Sequence, residues 1–200
     1  MTNRGFAYSR AIDEALAFAA AAHRTQTRKG SDVPYIMHPV HVAMILLRHG
    51  FDEEVVMAGL LHDVVEDCDV ELDEIRARFG PRVAMLVDAV TERKQTETNE
   101  RRPWRERKLE QLARLRHANR DEAALKAADA LHNCQTTLAD LERQGEAAWA
   151  RFNAGPDEQR WYYGALAAMV RETLERHPLS LELERAVAKL SSGQKNGPHR

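Results

Sequence analysis

The chain has 200 residues, 44% apolar and 30% charged, with a formal net charge of −2. That is the balance of one globular domain, or at most two small ones, and it excludes wholesale disorder, a collagen-like chain and a disulfide-stapled miniprotein. No run of about 18 uncharged apolar residues exists to span a membrane, and a near-neutral charge is no footprint for duplex nucleic acid.

In chain order the pattern is helix after helix. Ser9 caps a predicted helix reaching about Arg24, with Ile12, Leu16, Ala19 and Ala20 on one face. Residues 25–35 contain Gly30 and Pro34 and read as a loop. Pro39 suits the first turn of a helix that ends before Gly50. Asp52 caps the next helix, which carries Val55, Val56, Leu60, Leu61, Val64 and Val65 and is expected to run on through Asp67. A short helix over 72–79 is stopped by Gly80, and Pro81 opens another to about Val90. Residues 91–102 are polar without apolar periodicity and read as a loop. Helices resume over 103–116, 122–143, 157–176 and 181–190. No stretch alternates β-branched or aromatic residues, so no strand is predicted. The class is all-α, a single helical bundle over 1–190, followed by a frayed tail over 191–200. The first ten residues lack a signal-peptide pattern, so a cytoplasmic protein with free thiols at Cys68 and Cys134 is expected.

Nine histidines exceed what a core needs, which directs attention to metal or proton chemistry. The run Leu60-Leu61-His62-Asp63-Val64-Val65-Glu66-Asp67 stands out. On a helix, Asp63, Glu66 and Asp67 fall within about 140° of His62, with Leu61, Val64 and Val65 opposite. Three carboxylates so close repel unless a cation joins them. A solvated acidic face is the alternative, but it does not need so apolar a setting. His38 enters a helix from a loop at Met37-His38-Pro39. Asp129 lies among Ala127, Ala128, Ala130 and Leu131, either as a hydrogen-bonded core carboxylate or as a ligand.

A lone His38, then His62-Asp63, then Asp129 resembles the HD-domain metal phosphohydrolases. The likeness is closer still to the hydrolase domain of the RelA/SpoT alarmone enzymes. It rests on Ala22-His23, Gln26, Arg28-Lys29-Gly30, Pro34-Tyr35-Ile36 and His38-Pro39. It continues through His62 to Asp67, Phe79-Gly80, Val83-Ala84, Leu86-Val87, Val90-Thr91, Lys126, Ala128-Asp129 and Leu131-His132-Asn133. It extends over about residues 7–175.

The resemblance implies one Mn²⁺ ion on His38, His62, Asp63 and Asp129, with Glu66 and Asp67 orienting or deprotonating the attacking water. It implies removal of the 3′-pyrophosphate of ppGpp and pppGpp, giving GDP or GTP and pyrophosphate. With no room for a synthetase domain, the chain is similar to the stand-alone small hydrolases, whose animal members also accept NADPH. Arg28 and Lys29 match a phosphate-contacting pair, and Asn133 a position near the nucleotide. From the cations at 101–108, Lys108 is expected to reach substrate. Within Trp161-Tyr162-Tyr163, core packing is the plain reading, and Tyr163 is the residue expected to flank the base or ribose. His23 is expected to support the Arg28 loop and His132 to pack beside the site. The sequence departs from the family at Thr25, Cys68 and Ala130, where the family often carries Gly, Thr and Arg. Those departures bear on substrate preference more than on metal ligation. The rivals are an HD phosphohydrolase for another nucleotide and a non-catalytic nucleotide sensor; the intact Glu66-Asp67 pair argues against the sensor.

Overall fold

The structure, a computed structural model, describes residues 9–95, 98 and 100–192. Its helices are α1 (Arg10–Ala22), α2 (Met37–Arg48), α3 (Glu53–Leu61), α4 (Val64–Asp67), α5 (Leu72–Phe79), α6 (Pro81–Val90), α7 (Trp104–Leu115), α8 (Arg120–Gln144), α9 (Pro156–Leu174) and α10 (Pro178–Ser191). A 3₁₀ segment, Gly145–Arg151, joins α8 to α9. Among the described residues there is no strand, only isolated bridges pairing Thr27 with Pro34 and Gln95 with Arg101. The all-α expectation therefore holds. Beyond Ser192 the predicted tail lies outside the described residues.

α3 is the hub. Every residue from Val55 to Leu61 is buried, as a helix apolar on all sides must be. It packs against α1, α2, α6 and α8, and each large aliphatic side chain it buries contributes about 1.5–3 kcal/mol. Gly59 sets the α2–α3 spacing. A Cβ there would stand 2.8 Å from Leu46 Cδ1 and 3.3 Å from the Ala43 backbone. α8 forms the opposite wall, opened by a capping box in which Asn119 accepts from the Glu122 amide and Glu122 accepts from the Asn119 amide. Ser9 and Asp52 cap α1 and α3 through their side chains.

The structure corrects the expected helix boundaries in two places and adds one element. The helix expected to run through Asp67 breaks at His62–Asp63 and resumes as the single turn α4. The cause is local: His62 Nδ1 donates to the Gly59 carbonyl at 2.8 Å, and Asp63 adopts φ −99°, ψ −6°, so the regular ladder is interrupted. α10 starts at Pro178 rather than near Leu181, with His177 Nδ1 accepting from the Leu179 amide. The added element is the 3₁₀ segment, which opens at Gly145, whose φ of +61° turns the chain out of α8.

Candidate functional site

Three parts of the fold deliver the ionisable groups to one place. His38 comes from the first turn of α2, His62 and Asp63 from the break after α3, and Asp129 from the middle of α8. His38 Nε2 lies 3.3 Å from Asp129 Oδ1 and 3.5 Å from Asp63 Oδ2. His62 Nε2 lies 3.2 Å from Asp63 Oδ2 and 4.0 Å from Asp129 Oδ1. Donors held at about 2.1 Å from one ion are spaced about 3.0 Å apart when adjacent and about 4.2 Å when opposite. The observed gaps fall in that range. His62 Nε2 is buried without a hydrogen-bond partner, and its Nδ1 is committed to the Gly59 carbonyl, which leaves Nε2 free to face a cation. These four side chains could hold a divalent ion.

The electrostatics agree. Burial alone opposes a charge on Asp63, yet the His62 imidazole beside it holds the carboxyl below the usual carboxylate range. Burial likewise opposes a charge on Asp129, and Lys126 with the two imidazoles holds it well down. Against its own burial, His62 is pushed up to about 9 by Asp63 and Asp129. A field that draws a proton onto an enclosed imidazole also draws a metal cation.

The helix break changes how Glu66 and Asp67 relate to this cluster. They do not share a continuous helical face with His62, as the expected wheel placed them. On α4 they are held by other partners. Lys94 Nζ lies 3.0 Å from Glu66 Oε1 and also bonds Asp67, and the Glu92 amide donates to Glu66 Oε2 at 2.8 Å. Tyr35 ties the two sets together, its hydroxyl 2.7 Å from Asp63 Oδ2 and 3.2 Å from Asp67 Oδ2. Burial, then Asp63, pushes Glu66 up; Lys94 opposes the rise.

Beside the cluster, and joined to it through Tyr35 and Asn133, lies a cavity of about 350 Å³. Arg28, Lys29, Lys108, Asn133, Tyr163, Glu66 and Asp67 all line it, so the expected substrate- and water-handling residues share one space, whereas the four expected metal ligands lie outside its lining. The loop carrying Arg28 and Lys29 is a short hairpin. Arg28 and Tyr35 amides donate to the Val33 and Gln26 carbonyls at 2.9 Å, and Gly30 turns it at φ +76°. His23 Nδ1 meets Gln26 Oε1 at 2.8 Å, and Gln26 Nε2 donates to the Asp67 carbonyl at 2.7 Å; His23 thus supports this loop. Arg28 donates to Asn133 Oδ1 at 2.9 Å, and Asn133 Nδ2 donates to Asp129 Oδ1 at 2.6 Å. Lys108 lies 2.5 Å from Glu92 and 4.8 Å from the Tyr162 ring centre; burial lowers its ammonium. Tyr163 is buried against Tyr162 and forms part of the wall.

Sequence reasoning missed several residues here. Tyr35 sat in a quoted motif without a role. Lys94 lay in an unpatterned loop. Arg151 lies in the 3₁₀ segment, yet it lines the cavity. Lys126 donates to Asp129 at 2.9 Å, so the cation beside that carboxylate comes from the preceding turn of α8, while Ala130 is core. The spacing of 126, 129 and 133 on one helix face was the available signal. The cationic run divides: Arg101, Arg107 and Lys108 line the cavity, while Arg102 pairs with Glu110 and Arg105 stacks on Trp161.

A family model described as HD domain matches residues 15–159. The chain belongs to the HD domain family. Among HD-domain relatives, guanosine-3′,5′-bis(diphosphate) 3′-pyrophosphohydrolase MESH1 of Mus musculus is 41% identical over 140 residues, covering 68% of this chain and 73% of that protein. The Drosophila melanogaster protein of the same name is 35% identical over 174 residues, covering 86% and 88%. A solved metazoan orthologue of SpoT, described as hydrolysing ppGpp, matches with a TM-score of 0.73 and 30% identity over 92% of this chain and 98% of its own. A crystal structure from Listeria monocytogenes EGD-e matches with a TM-score of 0.69 and 38% identity, covering 80% and 96%. The resemblance read from the motifs is borne out. No helix among the described residues is long and apolar enough to cross a membrane.

Proposed function

We propose that this protein hydrolyses the 3′-pyrophosphate of guanosine alarmones, converting ppGpp and pppGpp to GDP and GTP with release of pyrophosphate. One observation carries the reading: a His/His/Asp/Asp donor cluster is joined through Tyr35 and Asn133 to a cavity lined by an excess of cations, in a chain whose relatives bear that activity in their names. The occupant such a cavity suits is small and highly anionic. Seven cationic side chains line it against Glu66, Asp67 and Glu92, although the chain as a whole is at −2.

His38, His62, Asp63 and Asp129 would hold one Mn²⁺ ion, for which two imidazoles and two carboxylates are a suitable set. Bound there, the ion supplies positive charge against phosphate oxygens and lowers the pKa of water. Glu66, raised by burial and paired with Asp67, takes the proton from the attacking water. The water oxygen bonds to the phosphorus nearest the ribose, the bond from that phosphorus to O3′ breaks, and O3′ takes up a proton. Phosphoryl chemistry of this kind is mostly positioning and charge neutralisation. Arg28, Lys29 and Lys108 neutralise phosphate charge, Asn133 links Arg28 to Asp129, and Tyr163 walls the nucleoside. A guanosine-nucleotide substrate suits a cytoplasmic location for the enzyme.

The test is incubation with Mn²⁺ and a panel of ppGpp, pppGpp, GMP, a deoxynucleotide and NADPH, with products resolved by chromatography. GDP and pyrophosphate in equal amounts from ppGpp are expected. Turnover of the other panel members with ppGpp untouched would replace this reading by a general HD phosphohydrolase, and binding without turnover would replace it by a sensor.

A further inference from the structure

His38 and His132 meet through their Nδ1 atoms, 2.7 Å apart. Both rings are buried, at 2% and 7% exposure. Two ring nitrogens at that distance share one proton: one ring donates and the other accepts. His38 turns its Nε2 toward Asp129 and Asp63. To present a lone pair to a cation there, it must carry its proton on Nδ1. His132 must then accept at Nδ1 and carry its own proton on Nε2. His41 fixes the plane of that acceptor. Its ring stacks on His132 at 4.8 Å and 20°, and its Nδ1 is anchored to the Met37 carbonyl at 2.9 Å. The two imidazoles of the donor cluster are thus oriented by different means. His62 uses a backbone carbonyl, which no substitution removes, whereas His38 depends on a side chain.

We propose that His132 is a positioning residue: as the Nδ1 acceptor it fixes the tautomer and the ring orientation of His38, and so sets the affinity of the cluster for a divalent cation. This rests on the metal reading above. It distinguishes His132 from a packing residue, because packing would tolerate any side chain of similar size and the acceptor role would not.

The experiment compares wild type, His132→Asn, His132→Gln and His132→Leu as full-length proteins stripped of metal. Mn²⁺ is titrated into each by calorimetry, and the thermal unfolding of each stripped protein is recorded. Asn places its carbonyl oxygen near the position of Nδ1 and can accept from His38. Gln carries its oxygen one bond too far. The expected result is Mn²⁺ affinity near wild type for His132→Asn and a loss of about 10- to 100-fold for His132→Leu and His132→Gln. That ordering should not follow the order of melting temperatures. In the Zn²⁺-loaded wild type, ¹⁵N NMR should find His132 protonated at Nε2 and His38 at Nδ1; this reading survives even if His132→Leu fails to fold. Equal affinity across the variants, an equal loss in His132→Asn and His132→Leu, or a proton on His132 Nδ1 would each overturn the inference. Absence of Mn²⁺ binding by the wild type would overturn the metal reading itself.

Discussion

Four carboxylates crowd together in and beside the cavity, and their partners divide them into two pairs. Asp63 and Asp129 point oxygens at the two imidazole Nε2 atoms, whereas Glu66 and Asp67 share Lys94. Removing a carboxylate from the first pair should therefore remove the metal, and removing one from the second should spare it. Asp63→Ala is expected to lose Mn²⁺ affinity by more than the roughly 10- to 100-fold typical of an outer-shell change, and to lose turnover with it. Glu66→Gln and Asp67→Asn are expected to bind Mn²⁺ while kcat falls by about 10²–10⁴, the usual contribution of a positioned acid or base. Metal content after dialysis, read beside kcat, checks both; an Asp63→Ala protein that keeps its full metal content would refute the ligand assignment. Arg28 makes a different claim. It touches Asn133 and not the donor cluster, so Arg28→Ala should keep the metal. It should lose about ten- to a hundredfold in kcat/KM on ppGpp, from one charge-assisted phosphate contact of about 1.5–3 kcal/mol, and lose less on GMP. Equal losses on the two nucleotides would show that this loop does not read the pyrophosphate.

At the scale of elements, the packing of α2 on α3 sets the distance between His38 and His62. Gly59 lies where the two helices approach, with Leu46 Cδ1 and the Ala43 backbone in the space a methyl group would fill. Gly59→Ala gains up to about 1 kcal/mol of helix propensity, but overpacking a tight contact costs about 1–3 kcal/mol. The backbone neighbour at 3.3 Å cannot rotate away, so the helices must part by tenths of an ångström. We expect a net loss of about 1–2 kcal/mol in stability together with weaker Mn²⁺ binding, because the same shift moves His38 from His62. Chemical denaturation and Mn²⁺ titration on the one variant check it; a stabilised protein with unchanged affinity would show that Leu46 alone absorbs the methyl. The helices themselves were legible from caps and apolar stripes, and so were the motif residues His38, His62, Asp63 and Asp129. The break at His62 was not legible, because it is caused by a side chain bonding its own backbone, an interaction that periodicity does not encode. Lys94 and Arg151 were also hidden, since each reaches the cavity from a segment without apolar pattern and is placed only by tertiary packing.

At the scale of the whole molecule, folding assembles what no local segment contains. The donors come from α2, from the turn between α3 and α4, and from α8, so the unfolded chain has no comparable site. An ion that binds only the folded form stabilises it by RT ln(1 + [L]/Kd), about 2.7 kcal/mol at a hundredfold excess over Kd. For a domain of this length each kcal/mol raises Tm by about 2–4 °C, so saturating Mn²⁺ should raise Tm by about 5–11 °C over protein kept in EDTA. Without a cation, Asp63 and Asp129 stand together in an enclosed space, offset by the two imidazoles, Lys126, Tyr35 and Asn133. Asp63→Ala leaves the buried His62 imidazole without the carboxylate that holds its proton, so its Tm in EDTA should fall below that of the wild type, while the Mn²⁺ shift disappears. Thermal unfolding of both proteins with EDTA and with Mn²⁺ makes the comparison. A wild type indifferent to Mn²⁺, or an Asp63→Ala protein stabilised as strongly as the wild type, would mean that the cluster is held together by its own hydrogen bonds and that folding does not build a metal site.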